Sequence, residues 1–110
     1  MEIEDRIKGY LGLSARSGKL RFGSETCLNE LRKGNIELLI LSDRASDRTK
    51  KTFRDKCNYY KVKLIELEDL FINESTGRSG NIVFGLVDKG LADEIERLYM
   101  EYRGYKCEQA

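Results

Sequence analysis

The chain has 110 residues, of which 40% are hydrophobic and 35% charged, a balance typical of one folded domain and not of a disordered tail. No apolar run approaches the roughly 20 residues that a membrane helix needs, so we expect a cytoplasmic protein without membrane contact. Three widely spaced cysteines and the absence of histidine exclude a disulfide framework and most zinc sites. We therefore expect reduced structural thiols, no metal and no cofactor.

The pattern of apolar residues predicts alternating helices and strands. Helical spacing predicts five helices, at about residues 3–17, 24–33, 46–60, 67–73 and 90–103. Short apolar runs predict four strands, at residues 20–22, 37–42, 62–66 and 82–87. Ser46 is the predicted N-cap of the third helix, and the Gly and Ser content of residues 74–81 predicts a loop.

This alternation predicts the fold class. Strands separated by helices imply crossover connections, and hence a three-layer α/β/α sandwich with a mixed sheet of about four strands and helices on both faces. No linker or low-complexity segment divides the chain, so residues 1–110 are predicted to form a single domain, with 104–110 as a frayed tail.

The formal net charge of +1 conceals a polarity along the chain. Residues 14–34 carry five cations against two acids, and residues 44–63 carry eight against two. The later segments are acidic, because residues 64–79 have one cation against four acids and residues 88–110 have four against six. Such asymmetry favours a polyanionic partner, although a solvated basic face is the alternative.

Two segments resemble known phosphate sites, a P-loop and a phosphorylated aspartate, but their spacing or surroundings do not match those sites. Residues 12–20, GLSARSGKL, resemble a phosphate-binding P-loop, but five residues separate the glycines where the motif has four, and Leu20 follows the lysine. Asp43 follows a buried strand, as in receiver domains, but Phe22 and Gly23 provide no acidic pair for magnesium. Without a nucleophile and base, the chain is predicted not to be an enzyme.

The helix in 23-GSETCLNELRKG-34 has an unusual polar stripe. Its side opposite the apolar residues carries Glu25, Thr26, Asn29 and Lys33. Thr and Asn have poor helix propensity, so a merely solvated face would contain them less often. The first turn presents unpaired backbone N–H groups that suit a phosphate, and Gly23 lets a nucleic-acid backbone come close. A capped surface helix is the alternative interpretation.

Two loops are expected to adjoin this helix. In sheets of this type ligands commonly bind beyond the carboxyl ends of the strands, where loop 42–46 follows one strand. If the loop at 75–81 lies beside it, Arg44 and Arg78 form the rim of a cleft. Separately, the basic helix 48–56 could supply nonspecific phosphate contacts.

The order of these motifs resembles a known family. The segments are 11-LGLSARSGKL-20, 23-GSETCLNELRKG-34, 37-ELLILSD-43, 45-ASDRTKKTFRDKCNYYKV-62 and 81-NIVFGLVDKGLADEI-95. Together they resemble the YlxQ-type bacterial branch of the ribosomal-protein L7Ae/L30e superfamily over about residues 5–98, most specifically around SARSGK and TKK…DKCNYY. The resemblance implies an α/β/α sandwich that binds RNA, in many relatives at a kink-turn, a sharply bent duplex with tandem sheared G·A pairs.

In those relatives the second helix begins with the pattern G-x-N-E-x-x-K. Its glycine approaches the RNA backbone and its polar side chains reach the guanines of the G·A pairs. Here the glycine is Gly23, but Glu25, Thr26 and Asn29 replace Asn, Glu and Lys. Losing a cation and gaining a carboxylate should weaken contact with RNA, although Asn29 and Glu25 can still hydrogen-bond base edges. The loop that covers the RNA corresponds to residues 75–80, which lack apolar residues to pack on an extruded base.

The sequence thus predicts a non-enzymatic RNA-binding protein, ribosome-associated or ribosomal-protein-like, whose partner is structured RNA such as ribosomal RNA. The alternative is a protein-interaction module on the same fold that has lost kink-turn binding. The replaced first-turn residues favour the alternative, whereas the basic segment 44–63 favours RNA. The predicted RNA-binding residues are Gly23, Ser24, Glu25, Thr26, Asn29, Lys33, Asp43, Arg44, Arg78 and Ser79.

Overall fold

The computed structural model describes residues 2–77 and 80–109, and the helices and strands in this part follow the predicted order. The helices are α1 (Ile3–Arg16), α2 (Ser24–Arg32), α3 (Asp47–Tyr60), α4 (Asp69–Thr76) and α5 (Lys89–Gln109). The strands are β1 (Leu20–Phe22), β2 (Leu38–Ser42), β3 (Lys63–Leu67) and β4 (Val83–Leu86). No helix within the described ranges has the length and apolarity needed to cross a membrane.

The strands form one mixed sheet in the order β1-β4-β2-β3. β2 and β3 are parallel, with Leu38 opposite Lys63 and Ser42 opposite Leu67. β4 runs antiparallel to both β1 and β2. Every residue of β2 is buried because helices cover both faces of the sheet. The predicted three-layer α/β/α fold with a mixed four-stranded sheet is confirmed.

Each face of the sheet has its own apolar cluster, and the side chains of β2 alternate between them. One cluster combines Leu38 and Ile40 with apolar residues of α1, α4 and α5. The other combines Leu39 and Leu41 with the buried side chains of α2 and α3, which are Cys27, Leu31, Phe53 and Cys57. As a result, α2 and α3 lie side by side on one face, and the remaining helices lie on the other.

Two local features of the sequence position these helices. Ser46 is the N-cap of α3, as predicted, because its Oγ accepts a hydrogen bond of 3.1 Å from the backbone N–H of Thr49. Gly12 is buried in α1, where an added Cβ would lie 2.9 Å from the carbonyl oxygen of Ser75. The absence of a side chain at Gly12 therefore allows α4 to pack closely on α1.

Two predicted boundaries were wrong, both because a helix continues further. The predicted loop over 74–81 begins only at Gly77, since Ser75 and Thr76 belong to α4 and their hydroxyls donate to the carbonyl oxygens of Phe71 and Ile72, at 2.7 and 2.9 Å. The last helix was predicted to end at about residue 103, but the backbone of α5 continues as a helix over 104–109, and the frayed tail stays a prediction. That segment contains no proline, and its single glycine costs a helix only about 1 kcal/mol.

Candidate nucleic-acid interface

One edge of the sheet brings together most segments of the predicted site. β1, β2 and β3 end at this edge, so α2, α3 and α4, which follow them in sequence, all begin there. Backbone hydrogen bonds of 2.9 Å join Gly23 N to the oxygen of Val83 and Ser42 N to the oxygen of Ile82. The end of β2 therefore lies beside Ile82, the residue before β4. We call this the helix-start edge.

The three helices that begin at this edge differ in how their first turns are satisfied. A helix start carries unpaired N–H groups and a partial positive charge. At α3 the Ser46 side chain accepts from Thr49 N, and at α4 the Asp43 carboxylate accepts a hydrogen bond of 3.0 Å from Asp69 N. The N-cap of α2 is Gly23, which has no side chain to cap the helix. Among these three helix starts, α2 alone has no side-chain acceptor from the described residues.

The backbone at the start of α2 is open as well as uncapped. Gly23 has a φ of 100° and a ψ of 151°, a conformation that is essentially restricted to glycine. No atom lies within 4 Å of the position that a Cβ would occupy, so another molecule's backbone has room to approach. The next three residues, Ser24, Glu25 and Thr26, are all exposed. Together these four residues form what we call the open first turn.

The two other predicted residues of α2 lie further from the edge. Asn29 is exposed one turn along, and its Oδ1 accepts from Arg32 Nη1 at 3.4 Å, which leaves its amide N–H groups available. Lys33 is the C-cap at the far end of the helix, about 13 Å from Ser24 at a rise of about 1.5 Å per residue. Asn29 therefore extends the open first turn, whereas Lys33 does not belong to the same contact.

Asp43 and Arg44 belong to a polar network with residues that the sequence analysis missed. Asp69 is its centre, because its Oδ1 accepts from the fully buried Ser42 Oγ at 3.0 Å and its Oδ2 accepts from Asn73 Nδ2 at 3.1 Å. Arg44 pairs with the Asp69 Oδ2 at 3.4 Å and also donates its backbone N–H to Ser42 Oγ at 3.1 Å. We call these five residues the braced loop.

In the braced loop the Arg44 cation is accessible to a ligand, whereas the Asp43 carboxylate is bonded within the protein. The Arg44 side chain is 75% exposed although it is ion-paired, so its guanidinium faces solvent at the helix-start edge. Asp43 is committed to the backbone of α4, which makes it a structural residue and leaves less of its carboxylate for a ligand. Nothing in the sequence indicated that Ser42 and Asp69 would interact. Ser42 is simply a polar residue at the end of an apolar run, and Asp69 an acid at the start of a helix.

Ion pairs neutralise much of the positive charge in the segment 44–63. Lys50 and Arg54 both pair with Glu66, at 3.1 and 2.8 Å, and Lys51 pairs with Asp55 at 3.0 Å. Burial on its own raises the pKa of Glu66, but hydrogen bonds from the two cations outweigh it and hold that pKa below its ordinary value. Three cations of α3 and its C-cap form no ion pair with another described residue: Arg48, Lys56 and Lys61.

A shallow groove of about 170 Å³ separates the first turns of α2 and α3. Its lining combines apolar carbon, hydroxyl groups and one cation, contributed by Ser24, Leu28, Arg48, Thr49, Thr52 and Phe53. Ser24 belongs to both the groove and the open first turn, so the two features are continuous. The sequence pattern did not predict this groove, because it depends on how two helices pack.

The remaining predictions concern thiols, metals and two loop residues. Cys27 and Cys57 are free and buried, and burial raises their pKa to about 12 and about 11, so both thiols stay protonated at neutral pH. Among the described residues no group of three or more Cys, Asp or Glu is arranged to hold a metal ion. Arg78 and Ser79 lie outside the described residues.

Comparison with known proteins finds relatives over most of the chain. The model of the ribosomal protein L7Ae/L30e/S12e/Gadd45 family matches residues 5–90. A protein of Bacillus subtilis named RNA-binding protein YlxQ is 34% identical over 86 residues, which are 77% of this chain and 86% of the relative. A protein of the same name from Enterococcus faecium is 35% identical over 94 residues, covering 84% of this chain and 90% of the relative.

Solved structures with the same fold support this assignment. A protein of unknown function from Bacillus halodurans C superimposes with a TM-score of 0.81 at 29% identity, over 84% of this chain and 95% of that one. A 15.5 kD RNA-binding protein of Giardia lamblia has a TM-score of 0.69 at 16% identity, over 89% of this chain and 91% of that one, and shows the shared fold. The family model, the sequence relatives and the α/β/α architecture agree, and the chain belongs to the ribosomal protein L7Ae/L30e/S12e/Gadd45 family.

Proposed function

We propose that this protein is a non-enzymatic RNA-binding module that holds structured RNA, including kink-turn-like RNA, at the helix-start edge. The observation that carries the proposal is the uncapped start of α2, where Gly23 leaves backbone N–H groups and open space. Two sequence relatives are named RNA-binding proteins, which supports the same class of ligand. The family name favours ribosomal RNA as the ligand, either alone or within the ribosome.

The open first turn suits a phosphate group for electrostatic reasons. Unpaired N–H groups at a helix start donate hydrogen bonds to an anion, and the helix dipole adds a partial positive charge. Arg44 lies at the same edge and supplies a full positive charge that remains accessible while paired with Asp69. The RNA backbone would therefore pass over Gly23 towards Arg44, with the phosphates providing affinity and position.

Reading of the bases would depend on Glu25, Thr26 and Asn29, all of which are exposed. The Asn29 amide can donate to acceptor atoms on a base edge, and the Glu25 carboxylate can accept from an exocyclic amino group. Glu25 also brings a negative charge to the first turn, where it opposes a phosphate. We therefore expect weaker kink-turn binding than the family pattern of Asn, Glu and Lys at these positions would support.

A protein-interaction module is the second candidate function, and one observation favours it. Asp69, Glu66 and Asp55 neutralise cations near the helix-start edge and along α3, so this surface is less basic than its sequence suggests. A surface with interspersed charges of both signs suits a protein partner better than a polyanion. RNA remains our first choice because these pairs leave α2 uncapped and Arg44 exposed.

Titration of labelled RNA hairpins at several salt concentrations tests the proposal. We expect wild-type protein to bind a kink-turn hairpin more tightly than a hairpin with Watson–Crick pairs in place of the G·A pairs, with affinity falling as salt rises. Asn29→Ala or Arg44→Ala should weaken binding, and Arg44→Ala should reduce the salt slope by about one. Lys89→Ala is the matched control, because Lys89 is 76% exposed at the opposite edge. Absence of RNA binding at low salt would favour the protein-interaction function.

A further inference from the structure

One exposed stripe of α3 connects the groove beside the open first turn with the far end of the helix. Arg48, Thr52, Asp55 and Tyr59 follow one another at steps of four, three and four residues, so they share one side of the helix. All four are exposed. With a rise of about 1.5 Å per residue, the Cα atoms of Arg48 and Tyr59 are about 16 Å apart along the axis. We call this set the α3 stripe.

Tyr59 ends the stripe as an exposed, supported aromatic ring. It is 77% exposed, compared with 44% for Leu13 and 64% for Met100, the other exposed large hydrophobic residues of the described chain. Its ring contacts that of Tyr60 edge to face, with centroids 4.9 Å apart and an interplanar angle of 87°. Tyr60 is half-buried against the apolar cluster beneath α3, so it anchors the Tyr59 ring while leaving most of that ring in solvent.

The charges around Tyr59 are positive. Lys56 lies one turn before it, and Lys61 follows at the C-cap of α3 in a left-handed conformation with a φ of 59°. Neither lysine forms an ion pair with another described residue. The acid of the stripe, Asp55, is paired with Lys51 at 3.0 Å, so it adds little net negative charge. The stripe thus begins with the cation Arg48 and ends with an aromatic ring flanked by cations.

We propose that single-stranded RNA flanking the structured element runs along the α3 stripe, and that one unpaired base stacks on Tyr59. The inference rests on the RNA binding proposed above, because the strand enters through the groove that Ser24 and Arg48 share. Cations that follow the backbone and aromatic rings that stack bases are the two components of single-strand binding surfaces. Arg48, Lys56 and Lys61 provide the first component, and Tyr59 provides the second.

The surroundings of Tyr59 favour RNA over a protein partner. A stable protein interface needs a contiguous apolar core, usually built from several large side chains. The other exposed large hydrophobic residues, Leu13 and Met100, lie on α1 and α5, which cover the opposite face of the sheet. Apart from its contact with the half-buried Tyr60, Tyr59 lies away from the other exposed large hydrophobic residues of the described chain, and its basic setting matches a nucleotide and not a broad apolar surface.

The test compares three versions of one kink-turn hairpin by fluorescence anisotropy. One version has no tail, one has a single-stranded uridine tail, and one has an abasic tail with the same number of phosphates, with each tail placed at either end. The uridine tail should tighten binding by wild-type protein more than the abasic tail does. Tyr59→Ala should remove that difference, weakening affinity for the uridine-tailed RNA by roughly fivefold to a hundredfold, whereas Tyr59→Phe should retain it.

Matched variants separate stacking from general effects. Met100→Ala removes another exposed apolar side chain and should leave all three affinities unchanged, and circular dichroism should show every variant folded. Arg48→Ala should weaken binding of both tailed RNAs more than it weakens binding of the hairpin without a tail. Equal gains from uridine and abasic tails, or no effect of Tyr59→Ala, would overturn the inference even if the hairpin itself binds.

Failure of the proposed function gives a different result. If wild-type protein binds no hairpin, free oligouridylate still tests the α3 stripe, and Tyr59-dependent binding of that oligomer supports the inference without kink-turn recognition. No binding of either RNA overturns both proposals. Self-association of the wild type that Tyr59→Ala abolishes, in the absence of any tail effect, would identify the surface as a contact between protein copies and overturn the inference.

Discussion

The open first turn of α2 and the braced loop lie at the same edge of the sheet but are built in opposite ways. At the open first turn, Gly23 leaves the helix uncapped and surrounded by free space. In the braced loop, Asp69 accepts hydrogen bonds from Ser42 and Asn73 and pairs with Arg44, while Asp43 caps α4. One region has unsatisfied donors, and the other has almost all of its polar groups paired with one another.

This difference separates two contributions to binding at one site. Unsatisfied N–H groups on a rigid helix can donate to a ligand without first breaking an internal bond. A cation held by an internal carboxylate is well positioned, but its charge is partly offset before the ligand arrives. We therefore expect changes in the braced loop to act mainly on stability, and changes to the exposed side chains of the open first turn to act mainly on RNA binding.

The largest effect should follow from Asp69→Ala. The substitution removes the acceptor for the fully buried Ser42 hydroxyl and for the half-buried Asn73 amide, leaving both donors without that partner. Because each such loss costs about 1–3 kcal/mol, the free energy of unfolding should fall by about 3 kcal/mol in urea denaturation. Asp93→Ala is the control, since Asp93 is 62% exposed in its pair with Lys89 and should cost less than about 0.5 kcal/mol. Similar losses in both variants would contradict the braced loop.

Gly23→Ala should produce the next largest effect, and it tests the open first turn. Alanine at a φ of 100° and a ψ of 151° is strained, so the free energy of unfolding should fall by about 2 kcal/mol. Gly9→Ala is the matched control, because Gly9 lies in α1 with nothing within 4 Å of its Cβ position and the change should stabilise by about 1 kcal/mol. A neutral Gly23→Ala with unchanged RNA affinity would mean that the open backbone is not needed.

The sequence predicted more of the fold than of the helix-start edge. The run ELLILS is apolar without alternation, and β2 is buried on both faces, so local pattern was sufficient there. Ser46 and Thr49 are three residues apart, and their capping bond was also predictable. The end of α4 was not, because the hydroxyls of Ser75 and Thr76 bond within the helix instead of forming a turn.

The sequence could not predict the braced loop, because its contacts join residues that are far apart in the chain. Asp43 and Arg44 meet Asp69 across more than twenty positions, and nothing in the local pattern of either segment specifies that contact. Asp43 was predicted as an RNA-binding residue, yet its hydrogen bond to α4 depends on the parallel pairing of β2 with β3. The charge count along the chain could not show these ion pairs for the same reason, because Glu66 on β3 pairs with Lys50 and Arg54 on α3.

Restoring the family pattern in the open first turn should have a smaller effect, on affinity alone. The triple variant Glu25→Asn, Thr26→Glu and Asn29→Lys should bind a kink-turn hairpin about tenfold more tightly, because it regains base contacts and a cation. Glu37→Gln is the control, since it changes the net charge by the same amount at an exposed position away from this edge. An equal gain in the control would attribute the effect to charge, and no gain would show that these replacements do not limit binding.

Glu66→Gln should give the smallest effect. It removes the negative charge that pairs with Lys50 and Arg54 on α3. Hydrogen bonds from Lys50 and Arg54 hold the pKa of Glu66 below its ordinary value against the opposing effect of burial. A carboxyl whose pKa is lower in the folded state stabilises the fold above its unfolded pKa, and that contribution is lost as pH falls through the folded pKa. The wild type should therefore be slightly more stable than Glu66→Gln at neutral pH, and the difference should vanish in acid.

The same substitution should strengthen RNA binding, because it releases Lys50 and Arg54 on α3 from their acidic partner. Urea denaturation across pH and hairpin titration across salt measure the two effects on one variant. Glu37→Gln again controls for the change in net charge. If Glu66→Gln lost stability without gaining more RNA affinity than the control, the cations of α3 would serve the fold alone. RNA binding would then depend on the open first turn without help from that helix.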